Sequence, residues 1–331
     1  MSLQSSHISK IHLADTEHKK TVSIEDHPLV SVIIPNFNHA RFLDERMQSV
    51  LGQTYQNIEV IILDDCSTDN SREVIEKYRG NPKVAKIVYN ETNTGKPFQQ
   101  WNKGIELAIG DIIWIAESDD SCAPQLLERL VKLYVEHNCS FCFCRSLFTY
   151  EDGSAFGSGH ETLPNDEVTQ CWKGTEFIND KLSAANVVMN ASCVIFSKAT
   201  ALTVDYGFEK MRGSGDWLFW IEMAEKGNVG FDSRAMNYFR QHGNNTTQKL
   251  YRNGTDMIED HVIWLYLRDH RLISKRKAWK LQKNRIMWQM GYDFDSEEIR
   301  RKVLRTWGYG RPLTRLRVFL ARAFTSLAYR I

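Results

Sequence analysis

Ile58-Glu59-Val60-Ile61-Ile62-Leu63-Asp64-Asp65-Cys66-Ser67-Thr68-Asp69 decides the fold. A short, β-branched run breaks into acids and hydroxyls, which is a buried strand entering a turn and not a helix. The pattern recurs where Ile112-Ile113-Trp114-Ile115-Ala116 runs into Glu117-Ser118-Asp119-Asp120. Carboxylates at the carboxyl ends of neighbouring strands stand where open α/β sheets bind their ligands. Crowded there, they repel one another unless something cationic or hydrogen-bonding lies between them. A divalent metal carrying a phosphorylated ligand meets that requirement.

Outward from these two turns, Leu29 to Ile34 predicts a first strand, stopped by Pro35-Asn36-Phe37-Asn38, and Val84 to Tyr89 a third. Helical spacing of Phe42, Leu43, Met47, Val50 and Leu51 predicts a helix ended by Gly52. Val74, Ile75 and Tyr78 mark a second helix, closed by Gly80. Asn93-Thr94-Gly95-Lys96 opens a third, running to Ile109, and Pro124 starts a fourth with Leu126, Leu127, Leu130, Val131 and Tyr134. Strands alternating with helices over about 120 residues imply a largely parallel sheet covered on both faces. A dinucleotide-binding domain would place G-x-G-x-x-G after the first strand; Pro35-Asn36-Phe37-Asn38-His39-Ala40 stands there instead, which sets aside a nicotinamide or flavin enzyme. Past Glu151 the alternation decays into loops, then a short strand at Val194-Ile195-Phe196 and an apolar helix from Leu218 to Ala224. Beyond Tyr251 the chain reads as helical and basic, with Trp264, Trp279 and Trp288 as packing residues.

A net charge of +1 over 331 residues gives no global pull towards nucleic acid or membrane. It conceals an asymmetry, because Arg268 to Ile331 carries 17 lysines and arginines against 5 aspartates and glutamates. No stretch approaches the roughly 20 apolar residues that span a bilayer, and Met1 to His27 holds no signal-peptide core. Seven cysteines without framework spacing fit a reducing compartment. In Phe141-Cys142-Phe143-Cys144 they line a buried strand, since no second pair follows at zinc spacing.

The stretches VSVIIPNFNHARFLDERMQSVLGQTYQNIEVIILDDCSTDNS and NTGKPFQQWNKGIELAIGDIIWIAESDD, then SGDWLFWIEMAEKG and NYFRQHGNNTT, resemble the family 2 glycosyltransferases of the GT-A fold. The resemblance runs from Pro28 to Thr247 and implies a Rossmann-like, mostly parallel α/β domain over residues 28–250. A polar tail, 1–27, precedes it and a basic helical region, 251–331, follows. It implies an inverting transfer of sugar from a nucleotide-sugar, a UDP-sugar, to a hydroxyl of a saccharide or lipid-linked acceptor, with Mn²⁺ or Mg²⁺. Such an enzyme is expected in the cytoplasm or on the inner face of the cytoplasmic membrane, making cell-surface polysaccharide.

Residue by residue, the resemblance gives Asp65 the hydrogen bond to the uracil imide and Phe37 the stacking against the base. Pro35, Asn38, Asp64, Lys96 and Asn102 border the nucleotide. Asp119 and Asp120 hold ribose and metal, although Glu117 stands where the family often has Asp, and its extra methylene leaves its part in the metal shell open. The alternative for these acidic turns is that they cap the helices that follow. Asp216 takes the place of the catalytic base, an inverting displacement needing a carboxylate opposite the leaving nucleotide; its alternative is N-capping. Arg240 and His242 resemble a closing segment that reaches diphosphate and metal from a mobile loop. A non-catalytic nucleotide-sugar-binding scaffold is the rival reading. Finally, Gly310 to Ile331 sets Leu313, Leu316, Leu320, Ala323, Phe324 and Leu327 among Arg311, Arg315, Arg317, Arg322 and Arg330. Segment 311–331 can therefore lie on an anionic membrane or pack back on the domain; nucleic acid is the poorer fit.

Overall fold

The structure is a computed structural model that describes residues 27–158, 163–164, 168–242, 246–312, 314–316 and 318–319. Four parallel strands form one half of a mixed sheet: β1 (Val30–Asn36), β2 (Ile58–Asp64), β3 (Val84–Tyr89) and β4 (Ile112–Ile115). Every residue of β1, β2 and β4 is buried, which explains why their sequences run apolar without alternation: parallel strands are covered on both faces. Helices α1 (Ala40–Leu51), α2 (Ser71–Glu76) and α3 (Pro97–Leu107) connect them. Glycine at 104 lets α3 settle on β1, since a Cβ there would meet the Ile33 side chain at 2.4 Å.

The other half is built from β5 (Ser121–Cys122), β6 (Cys139–Thr149), β7 (Ala155–Ser158), β8 (Thr169–Lys173), β9 (Val194–Ser197) and β10 (Asn228–Arg240). The sheet runs β3-β2-β1-β4-β9-β6-β10-β5, with β7 on β6 and β8 on β10. Strand β9 is antiparallel to both β4 and β6, while β10 is parallel to β6. Helix α4 (Leu126–His137) packs on β6 and β10, and α7 (Gly215–Glu225) on β6. Short helices α5 (Gly174–Phe177) and α6 (Lys198–Ala201) lie between them in sequence. Four further helices, α8 (Thr246–Arg252), α9 (Thr255–Asp269), α10 (Lys275–Met290) and α11 (Glu297–Thr306), complete the described chain, and Met257, Ile263, Trp264, Leu267 and Val303 join the same apolar core. No described helix is long and apolar enough to cross a membrane.

Three expectations are corrected. Helix α3 begins at Pro97, and residues 93–96 are loop. Arg240 ends a thirteen-residue strand paired on both sides, so no loop carries it; the half-polar sequence of β10 hid it. Trp264 is buried, but Trp279 and Trp288 stay 37% and 44% exposed. Residues 1–26 of the tail and most of segment 311–331, with its membrane expectation, lie outside the described residues.

Candidate active site

Strands β1, β2 and β4 deliver their polar turns to one edge of the sheet. Asn36 ends β1 level with Asp64 on β2, and its Nδ2 donates to Asp64 Oδ1 at 2.8 Å. The other Asp64 oxygen accepts from Ser67 N at 3.0 Å. Asn38, in left-handed backbone at φ 58°, accepts from Thr68 N at 2.7 Å. Asp64 and Asn38 thus stitch the two turns together, and Pro35 is buried within β1. Phe37 protrudes beside them, 40% exposed.

Asp65 points the other way. Its carboxylate accepts from Asn90 Nδ2 at 2.6 Å, Thr94 Oγ1 at 2.8 Å, Thr94 N at 3.1 Å and Gln100 Nε2 at 3.0 Å. Asn90, Thr94, Gln100 and Lys103 line a cleft of about 470 Å³, so Asp65 organises one wall of an open, polar site and caps no helix. Lys96 is exposed before α3. Asn102 is buried, and its Oδ1 has no partner among the described residues.

The acidic turn after β4 separates its carboxylates. Asp120 faces inwards, accepting from Arg240 N at 2.9 Å and from Asn190 Nδ2, with Arg46 at 3.8 Å. Burial and the charge of Asp119 push its carboxyl up to about 7. Glu117 accepts from Trp101 Nε1 at 3.0 Å; burial, then Asp119, raises it to about 8. Asp119 keeps a fifth of its side chain exposed. His242 Nε2 lies 3.0 Å from its Oδ2; burial pushes the carboxyl up, but this bond and nearby His39 hold it below the usual range. Ligand atoms of His39, Asp119 and His242 all lie within 4.8 Å of one another. His39 Nδ1 bonds Ser118 Oγ at 2.9 Å, which leaves Nε2 for a ligand, and burial keeps that imidazole below its ordinary pKa, hence neutral. The bond to Asp119 raises His242. Two imidazoles and one carboxylate form a donor set that Mn²⁺ accepts more readily than Mg²⁺.

Arg240 is not free to meet a diphosphate here. Its Nε donates to Asp119 O, one Nη to Glu151 O and the other to Glu45 Oε2 at 2.6 Å. It clamps α1, the acidic turn and the loop after β6.

Asp216 sits in the first turn of α7. Just ahead of that helix, Glu259 on α9 ties down the incoming backbone, accepting from Arg212 N, Gly213 N and Ser214 N at 2.7, 2.9 and 2.9 Å. Asp216 accepts from Asn186 Nδ2 at 2.9 Å through one oxygen and from Trp217 N, a first-turn donor of α7, at 2.8 Å through the other. Burial raises its carboxyl to about 7, where a carboxylate can both hold and release a proton at neutral pH. Glycine at 213 admits the neighbouring Asp256, whose Oδ1 would lie 1.7 Å from a Cβ there.

Sequence reasoning missed His39, Arg46, Asn186 and Glu259. Arg46 left a signal, as it shares the helical face of Phe42, Leu43, Met47 and Val50. Glu259 left none, because its partners are backbone groups over forty residues away.

The family model described as glycosyl transferase family 2 matches residues 31–198. A putative teichuronic acid biosynthesis glycosyltransferase of Bacillus subtilis is 35% identical over 213 residues, covering 63% of this chain and 76% of that protein. Several other curated relatives are matched over less than half of their own length. Among solved structures, Staphylococcus aureus TarS 1–349 in complex with UDP-GlcNAc superposes with a TM-score of 0.53 at 18% identity, over 83% of this chain and 70% of that one. A Pyrobaculum calidifontis mannosyltransferase in complex with GDP-Man and Mn²⁺ gives 0.52 at 14%, over 92% and 86%. At these identities the likeness concerns the fold, which is of the GT-A type.

Proposed function

The chain belongs to glycosyl transferase family 2, and from that premise we propose that it transfers a sugar from a UDP-sugar, with inversion, to a hydroxyl of a saccharide or lipid-linked acceptor in cell-surface polysaccharide synthesis. The observation that carries the reading is Asp216: held in the first turn of α7 by Asn186 Nδ2 and Trp217 N, it has a carboxyl that burial raises to about 7. In the proposed step, Asp216 takes the proton of the acceptor hydroxyl as that oxygen attacks the anomeric carbon. The bond from that carbon to the diphosphate breaks on the opposite face, and its electron pair leaves with the nucleotide. Asn186, bound to the other carboxylate oxygen, keeps Asp216 oriented.

On the donor side, Asp65 and Phe37 are assigned the base. His39, Asp119 and His242 would hold a divalent cation, which supplies charge neutralisation at the leaving diphosphate. Residues 28–250 make the catalytic unit in this reading, and the basic helices from 251 onward approach the acceptor. The likeness to a putative teichuronic acid biosynthesis glycosyltransferase supports a cell-surface polymer as the product.

The test is turnover. The protein is incubated with a panel of UDP-sugars, Mn²⁺ and saccharide or lipid-linked acceptors, and UDP release and the glycosylated product are followed together. Product from at least one pairing, lost in Asp216→Asn, is expected. Tight UDP-sugar binding without product from any pairing would replace the enzyme with a binding scaffold.

A further inference from the structure

Beside α7 lies a half-open cavity of about 220 Å³ in which four tryptophans meet: Trp217, Trp264, Trp288 and Trp307. Three of them spend their indole N–H elsewhere: Trp217 on Leu182 O, Trp264 on Ala278 O and Trp307 on Met257 O, at 2.8, 2.9 and 2.8 Å. They therefore offer the cavity ring surface and not donors. One polar pair interrupts this surface. Asp260 is 4% exposed, with Oδ1 accepting from Ser214 Oγ at 3.2 Å. Its Oδ2 stands 3.0 Å from Arg285 Nη2, yet the pair is not aligned as a hydrogen bond and Oδ2 has no hydrogen-bond partner among the described residues. Arg285 also lies over Trp288, 5.7 Å from the ring centroid.

Aromatic walls with a buried acceptor and a guanidinium on one side match the two-sided chemistry of a pyranose. The C–H face of such a ring carries partial positive charge and suits an indole face, while its hydroxyls suit the carboxylate and guanidinium. Pockets for small ligands share this composition, an apolar lining with a few placed polar groups. Location narrows the occupant further. Trp217 follows Asp216 in the chain, and Ser183 and Ala184, also in the lining, precede Asn186, which holds Asp216. Most of the lining residues lie beyond the segment 31–198 that carries the family match.

We propose that this tryptophan cavity is an acceptor subsite that binds one pyranose unit of the acceptor saccharide beside Asp216. The proposal rests on the sugar-transfer reading above and adds the place and class of the acceptor. The test uses full-length protein and ligand-observed NMR with methyl pyranosides of glucose, galactose, N-acetylglucosamine and glucuronic acid. At least one should receive saturation from the protein. In Trp288→Ala, whose parent side chain is half-exposed and tolerates removal, its affinity should fall about tenfold, the worth of one aromatic contact. Trp288→Phe should restore most of it, and UDP affinity by calorimetry should stay at the parent value. If none of the four glycosides binds, or if Trp288→Ala binds them as well as the parent, the subsite is overturned, whatever the transfer assay gives. Conversely, glycoside binding without transfer from any UDP-sugar would overturn the enzymatic reading and leave a saccharide-binding cavity.

Discussion

Arg46 and Asp120 face each other at 3.8 Å with side chains 0% and 1% exposed, so two opposite charges are buried behind the acidic turn. Arg46 is held by Glu117 O at 2.8 Å and Ser192 Oγ at 3.1 Å. Removing one member of a buried pair strands the other, which typically costs about 3–5 kcal/mol. Asp120→Ala should therefore lower stability by about that amount, read as a drop in the urea midpoint at pH 7.5. An unchanged midpoint would show that Asp120 reaches solvent and is available to a ligand.

Asp119 stands on the opposite side of the same turn, with His39 and His242. Truncating His39, which is only partly buried, should leave the fold intact. The affinity gain that Mn²⁺ gives UDP should shrink at least about tenfold in His39→Ala, because even groups that merely support a metal ligand cost 10- to 100-fold. Calorimetry with and without Mn²⁺ separates the cases; full Mn²⁺ enhancement in His39→Ala would remove His39 from the site.

The parallel half of the fold was legible because β1, β2 and β4 are buried on both faces and their apolar runs have sharp ends. The acidic turn was legible for the same reason, being a short-range feature of a strand end, whereas Asp216 stood out only through the resemblance, since its local sequence reads equally well as a helix cap. Strand β10 was not, since its partner β6 lies almost ninety residues away and several of its residues are only half-buried. The direction in which a carboxylate points was also hidden. Asp119 and Asp120 are equivalent as letters, yet one meets His242 and the other Arg46, a difference set by the strand β10 that passes behind them.

Asp65 tests the nucleotide assignment. A uracil imide N–H can donate to a carboxylate, whereas cytosine and adenine offer no equivalent donor there. Losing a hydrogen bond to a charged group costs about 1.5–3 kcal/mol, so UDP should bind about 10- to 100-fold more tightly than CDP or ADP. Asp65→Ala should abolish that preference. Equal affinities for UDP and CDP in the parent would place the base elsewhere.

Stability should fall as pH rises towards neutrality. Burial lifts Asp256 and Glu222 to about 7 from ordinary values near 4. Between those values the native state holds more protons than the unfolded chain, so each such group subtracts stability with rising pH, and above about 7 the loss is complete. Urea midpoints at pH 5, 6.5 and 8 should decrease in that order. Asp256→Asn should flatten the trend and gain about 1–2 kcal/mol at pH 8. A midpoint that climbs from pH 5 to 8 would contradict the buried acids.

Asp216 separates catalysis from capping. The amide oxygen of Asn can still accept from the first-turn Trp217 N, and Glu259 holds the backbone ahead of α7, so Asp216→Asn should leave the helix and its stability close to the parent. The amide keeps the shape and an oxygen for Trp217 N, gives up the bond from Asn186 Nδ2, and takes no proton. Loss of a general base costs about 10²- to 10⁴-fold in rate, so transfer should fall by at least about a hundredfold while UDP-sugar and Mn²⁺ binding persist. The pH profile adds a second reading. With the carboxyl raised to about 7, parent kcat/KM should climb with pH and level off above about 7, because only the deprotonated form accepts the acceptor's proton. Residual activity in Asp216→Asn should lack that limb. A variant that transfers at the parent rate with the limb intact would move the base to another residue.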